Sequence, residues 1–136
     1  MRKKFKIEVL TPFGTFYEDK VEFIRFTAIG GEYGILADHA TTLIANRPCP
    51  MLIEKDNSKK YIYIADGFVQ ISKNLVSVIV DYAEWSTNID TEKALRDIKN
   101  AEENLESKKY DDASKTELLA GIEKARAAIK TSSMRD

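Results

Sequence analysis

Aromatic residues, glycines and prolines all but stop near residue 86, and this break limits the possible folds more than any other feature of the chain. Twelve of the thirteen Phe, Tyr and Trp residues, five of the six glycines and all three prolines precede it; Tyr110 and Gly121 are the exceptions. Beyond it the chain is rich in Ala, Glu, Lys and Leu. Aromatic and β-branched side chains suit a pleated, half-buried surface, whereas Ala, Leu, Glu and Lys give up little on entering a helix. The chain therefore divides into a β domain over residues 1–86 and a helical domain over residues 87–136.

Within the first part, Phe5-Lys6-Ile7-Glu8-Val9-Leu10 alternates apolar with polar, the pattern of a half-buried strand. Thr11-Pro12-Phe13-Gly14 turns it, and Val21 to Ala28 is a second strong strand. Shorter candidates lie at Thr41–Ala45 and Met51–Glu54. The turn cluster Asp56-Asn57-Ser58-Lys59 joins the latter to Lys60–Ala65 as a hairpin, and Phe68–Ile71 and Leu75–Val80 follow. Many short strands at this spacing predict a β-sandwich or flattened barrel of eight to ten strands.

Asp90 is a natural helix N-cap, and Glu92 sits well for the helix dipole. The first helix is predicted over about Thr91 to Glu106, with apolar positions Ala94, Ile98, Ala101 and Leu105. A polar link follows at Ser107–Asp111. A second helix runs to about Ile129, with Leu118, Ile122, Ala125 and Ile129 at the same four-three-four spacing. Two matched narrow stripes make an antiparallel two-helix hairpin. It is weakly held, because half the first stripe is alanine and Gly121 costs about 1 kcal/mol relative to alanine inside a helix. The whole is an α+β chain, strands first.

Charge is balanced in both parts: residues 1–86 carry eleven basic and eleven acidic side chains, residues 87–136 ten and eleven. That argues against nucleic-acid binding, which needs a basic excess. No apolar run approaches the ~20 residues of a membrane helix. The basic Met1-Arg2-Lys3-Lys4 is followed by no apolar core, so no signal peptide is expected, and the single Cys49 excludes an internal disulfide. These features read as a cytoplasmic protein. One histidine and one cysteine cannot build a usual zinc site. Asp38-His39 could supply two parts of a nucleophilic triad, but no nucleophile elbow and no phosphate-cradling Lys-Ser/Thr loop is present. No catalytic residue, no metal and no obligatory cofactor are expected.

The densest feature is Gly30-Gly31-Glu32-Tyr33-Gly34-Ile35-Leu36-Ala37-Asp38-His39-Ala40. Three glycines in five positions exceed what a plain hairpin turn needs, so the segment reads as a shaped surface presenting Glu32, Tyr33 and His39. From Gly31 on it resembles the Gly-Glu-Leu-Gly-Ile-Leu-Pro-Gly-His-Ala-Pro-Leu-Leu signature of the epsilon subunits of bacterial F-type ATP synthases, with Tyr33, Ala37-Asp38 and Thr41 as departures. Asp66-Gly67-Phe68-Val69-Gln70-Ile71 and Asn74 to Glu84 resemble two further motifs of that family, in the same order.

The resemblance implies an N-terminal β-sandwich of about ten strands that binds the gamma subunit and the rotor ring of membrane c subunits. It also implies a regulatory helical hairpin that reaches the catalytic beta and alpha subunits. Such a subunit is non-catalytic, couples the ring to the gamma shaft, restrains ATP hydrolysis and sits peripherally on the cytoplasmic face of the bacterial membrane. Glu32, Tyr33, Gly34, Ile35, Leu36, Asp38 and His39 would form the rotor and gamma interface. The alternative for His39 is a loop-fixing hydrogen bond, and for Ile35 and Leu36 an inward orientation that leaves only Tyr33 on show. Lys108, Lys109, Lys115, Lys124, Arg126 and Lys130 would meet an acidic segment of the beta subunit, or simply line a solvated face.

Many members bind ATP through Ile/Leu-Asp-x-x-Arg-Ala. Here Ile89-Asp90-Thr91-Glu92-Lys93-Ala94 has Lys93 for the arginine, and Asn100, Lys124 and Ala128 stand where further arginines would fall. The resemblance thus implies a weak regulatory ATP site at most, with Asp90 as a plain N-cap the stronger reading. A free-standing β-sandwich binding module and a soluble ATP sensor are the alternatives.

Overall fold

The computed structural model describes residues 2–106 and 112–134, without the side chains of residues 106 and 112–114. The described residues form ten strands, one 3-10 turn and two helices. The strands are β1 (Phe5–Thr11), β2 (Gly14–Val21), β3 (Phe23–Ala28), β4 (Gly31–Ile35), β5 (Thr42–Asn46), β6 (Cys49–Lys55), β7 (Ser58–Ile64), β8 (Gly67–Ser72), β9 (Leu75–Val80) and β10 (Ala83–Trp85); the helices are α1 (Thr91–Glu106) and α2 (Asp112–Ser132).

Strand order is β10-β7-β6-β3-β5-β8-β9-β1-β2, with β4 on β3. Register between β3 and β5 is the single pair Ala28 and Asn46, so the path folds there into two five-stranded layers. All pairings are antiparallel except β1 with β9. The free ends of the path approach one another at Trp85 on β10, whose ring lies 5.6 Å from Phe16 and 5.2 Å, edge-on, from Tyr17 on β2. Lys55 on β6 adds a closing ion pair, 2.8 Å from an Asp19 oxygen on β2. The Lys55 ammonium holds the Asp19 carboxyl below its ordinary pKa. The sandwich is nearly a barrel.

Between the layers, alternate residues of each strand point inward. Ile7, Val9, Ile24, Phe26, Met51, Ile62, Val69, Ile71 and Val78 are buried in one core. Gly67 opens β8 because the neighbouring backbone is too close for a side chain; a Cβ there would lie 2.1 Å from the Ile79 carbonyl oxygen.

The predicted sandwich of about ten strands followed by a helical hairpin is the observed architecture. Two local expectations change. The stretch before Val21 is itself a strand, β2: it forms a path end and is too polar to show alternation. The glycine-rich segment is not wholly a loop, because Gly31–Ile35 pairs with β3 as a hairpin closed by Ile29-Gly30.

Helix α1 starts where expected: Asp90 Oδ1 accepts a hydrogen bond from the Lys93 amide at 3.0 Å. Helices α1 and α2 pack together, and α2 lies across β6 and β7. That cover explains why Met51-Leu52-Ile53 and Ile62-Tyr63-Ile64 are buried without alternation. One set of side chains faces the core, and Leu52 and Tyr63 face the helix.

Candidate functional site

The glycine-rich segment is held as a stiff edge. Gly31 has φ +126, a conformation that side-chain-bearing residues rarely adopt, and it lets β3 reverse directly into β4. Tyr33 is half-buried and packs on Phe26 at 5.8 Å. Its hydroxyl lies 3.0 Å from His39 Nε2, while His39 Nδ1 lies 2.8 Å from the Ala40 carbonyl oxygen. A carbonyl only accepts, so Nδ1 carries a proton and donates to Ala40, and Nε2 is left to pair with the Tyr33 hydroxyl. Both ring nitrogens of His39 are thus engaged within the segment. Asp38, at φ +62, is held by Lys3 with 3.1 Å to each carboxylate oxygen. Ile35 turns into the core at 1% exposure, whereas Leu36 is 51% exposed. Glu32, Gly34, Leu36 and Asp38 thus form the outer rim, and Tyr33 with His39 braces it.

A groove of about 520 Å³ lies between the hairpin and the sandwich and brings Ile89, Asp90, Lys93 and Ala94 beside Lys124 and Ala128. Asn100 is exposed and is not part of this lining. Four acids (Glu84, Asp90, Asp97, Glu117) face two bases (Lys93, Lys124), a formal excess of two negative charges. A triphosphate needs the opposite balance. The Asp90 carboxylate is in addition engaged as the α1 cap. The Tyr63 and Tyr82 rings, 6.2 Å apart, border the groove, and burial pushes both phenols above their ordinary pKa.

Among the helix cations, Lys124 pairs with Asp66 on the sandwich at 3.7 Å and Arg126 with Glu102 on α1 at 3.1 Å. Lys115 is half-buried and Lys130 exposed. Lys108 and Lys109 lie outside the described residues.

No group of three or more His, Cys, Asp or Glu able to hold a metal occurs among the described residues. The Cys49 thiol is buried, which pushes its pKa up to about 11 and leaves it unreactive. Among the described residues no helix is long and apolar enough to cross a membrane.

One surface escaped the sequence reading. On the layer away from α2, Leu43, Phe68 and Ile79 are 63%, 52% and 45% exposed. Ala45 pairs with Phe68, and Phe68 with Ile79, so the residues cross three strands on one outer face. Ile29, at the β3–β4 turn, shares a groove with Phe68. The signal was in the sequence: Phe68 and Ile79 are apolar at outward positions of strands whose inward positions are already apolar. Exposed apolar side chains grouped on one sheet face are the kind of surface that partners cover.

Residues 4–86 match the family described as ATP synthase, Delta/Epsilon chain, beta-sandwich domain. The chain is 40% identical over 137 residues to the ATP synthase epsilon chain of Caldanaerobacter subterraneus subsp. tengcongensis, covering 99% of this chain and 93% of that one. It is 35% identical over 107 residues to the ATP synthase epsilon chain of Staphylococcus haemolyticus, covering 78% and 80%. Its fold is similar to a chain in the Euglena gracilis mitochondrial ATP synthase, OSCP/F1/c-ring in rotational state 1, with TM-score 0.81 at 20% identity over 91% of this chain and 78% of that one. A chain of the Tetrahymena thermophila mitochondrial ATP synthase central stalk and c-ring is similar at TM-score 0.61 and 13% identity, covering 96% and 98%.

Proposed function

The chain belongs to the epsilon-chain family of ATP synthases, and on that premise we propose that it is a non-catalytic coupling subunit with a detachable brake. The sandwich, residues 1–86, joins the gamma shaft to the ring of membrane c subunits, so that ion-driven rotation reaches the catalytic head. The hairpin, residues 87–136, restrains ATP hydrolysis when it leaves the sandwich and engages the beta and alpha subunits. The subunit works at the cytoplasmic face of the membrane without entering it.

The observation that carries this reading is the bare apolar face of Leu43, Phe68 and Ile79 on a sandwich whose opposite face is covered by its own helices. A torque-bearing joint needs a contact that excludes water, and exposed apolar side chains are the material for one. We assign the gamma shaft to this face and the glycine-rich rim of Glu32, Gly34, Leu36 and Asp38, braced by Tyr33 and His39, to the ring. Lys115, Lys124 and Arg126, with Lys108 and Lys109, are the cations available to an acidic catalytic-subunit segment once the hairpin opens. ATP in the helix groove is at most a weak regulator, because the lining carries more acid than base.

Reconstitution of the enzyme with Leu43→Asp/Phe68→Asp tests the coupling role. Loss of co-assembly with gamma, with the isolated chain still folded, is expected; unimpaired assembly and coupled ATP synthesis would refute the assignment. In the same assay, deleting residues 88–136 is expected to raise ATP hydrolysis while leaving assembly intact.

A further inference from the structure

The seat of α2 on the sandwich is built from charge as well as apolar contact. Two neighbouring turns, residues 47–48 between β5 and β6 and residues 65–66 between β7 and β8, each present one charged side chain to the helix. Arg47 donates to Glu123 Oε1 through Nε at 3.1 Å and Nη2 at 2.9 Å. Asp66, on the other turn, lies 3.7 Å from Lys124 Nζ. The polarity is crossed: cation below and anion above in one pair, the reverse in the next.

The spacing of the two turns is held from beneath. Asn46 is 4% exposed, and its side-chain amide donates to the Ala65 carbonyl at 2.9 Å and to the Arg47 carbonyl at 3.1 Å. It ties the two turns together without reaching the helix charges itself.

Apolar contact is incomplete at this end of the seat. Beside the two pairs lies an open groove of about 420 Å³, bordered on the helix side by Ala120, Glu123 and Lys124. Successive residues on a helix point about 100° apart, so Glu123 and Lys124 address different turns. A shift that exchanged their partners would set Glu123 against Asp66 and Lys124 against Arg47. The correct register is attractive twice, and the exchanged one is repulsive twice.

We propose that Arg47 and Asp66, spaced by Asn46, form a charge-matched seat that selects the docked register of the hairpin through Glu123 and Lys124, and so sets how readily the hairpin is released. The consequence for the enzyme rests on the hairpin being a detachable brake; the seat itself does not. The same pairing keeps Lys124 occupied while the hairpin is docked and frees it only on release. Exposed pairs of this kind change an equilibrium only a few-fold each, but a weakly held hairpin responds to changes of that size.

Hydrogen exchange of α2 amides in the isolated full-length chain at low salt tests this, with the sandwich amides as an internal control of folding. Arg47→Glu and Glu123→Arg, each alone, are expected to lower α2 protection by about tenfold, since each replaces an attraction by a repulsion. The Arg47→Glu/Glu123→Arg double swap is expected to recover protection to within about threefold of the parent. Both single effects should shrink at high salt. Singles that leave α2 protection unchanged, or a double swap that recovers nothing while the sandwich stays protected, would overturn the proposal. The measurement needs no other subunit, so this outcome is separate from whether the hairpin brakes ATP hydrolysis in the enzyme.

Discussion

The two outer faces of the sandwich carry comparable apolar side chains and meet different fates. On β6 and β7, Leu52 and Tyr63 point outward and are buried to 3% and 5% exposure under the chain's own helices. On β5, β8 and β9, Leu43, Phe68 and Ile79 also point outward, and they stay 63%, 52% and 45% exposed among the described residues. The hydrophobic effect acts on both faces alike. What differs is the origin of the cover. One face is served in cis by the helical hairpin; the other, on the reading proposed above, is left for the gamma shaft.

The largest effect that could break this comparison is the cost of truncating each face in the isolated chain. Leu52→Ala is expected to destabilise by about 2–5 kcal/mol, the range for a buried leucine. Phe68→Ala should stay within about 1 kcal/mol, because half its surface is already wet. Urea unfolding of the two variants measures the difference. Equal costs would mean that the helices do not cover β6 and β7 in solution.

A smaller effect concerns the ion pair that links the two layers between β2 and β6. The Asp19 carboxyl, hydrogen-bonded by Lys55, titrates lower when folded than when unfolded. Its stabilisation is therefore complete above the unfolded carboxylate pKa, near 3.9, and is lost as pH falls through the lower folded value. Asp19→Asn should cost up to about 1 kcal/mol at neutral pH, as expected of a partly exposed pair, and should flatten the acid limb of the stability profile. Denaturation midpoints from pH 7 down to pH 2 show both.

The smallest effect sharpens the account of the hairpin. Gly121 lies inside α2 with open space where a Cβ would go. Gly121→Ala should stabilise the helix by about 0.5–1 kcal/mol without touching the sandwich. Slower exchange of α2 amides with unchanged sandwich exchange is the expected result. A stabilised sandwich would instead tie the two parts into one cooperative unit.

Much of this was legible in the order of residues. The alternation in Phe5–Leu10 and Leu75–Val80 marked strands because one side of each must face a core, and the composition break near residue 86 separated strand from helix. Asp90 marked the start of α1 because few other side chains can serve an unpaired helix amide. Less legible was β2, an end strand whose polar residues show no alternation. The strand from Gly31 is equally hidden, because its glycines obscure a hairpin that only pairing with β3 reveals. Leu43, Phe68 and Ile79 went unremarked because outward and inward apolar residues look alike until the layers are assembled.

The sequence by itself determined the local elements, the glycine-shaped rim and the weakness of the helix stripes. Those depend on backbone freedom, side-chain periodicity and the small area an alanine can bury, all properties of neighbouring residues. Tertiary structure alone decided which outer face the helices cover, that Tyr33 braces His39, and that Arg47 and Asp66 stand under Glu123 and Lys124. Contacts between residues as far apart as 47 and 123 arise only when the layers close, and the sign of each charge takes on meaning only once its partner is brought within reach.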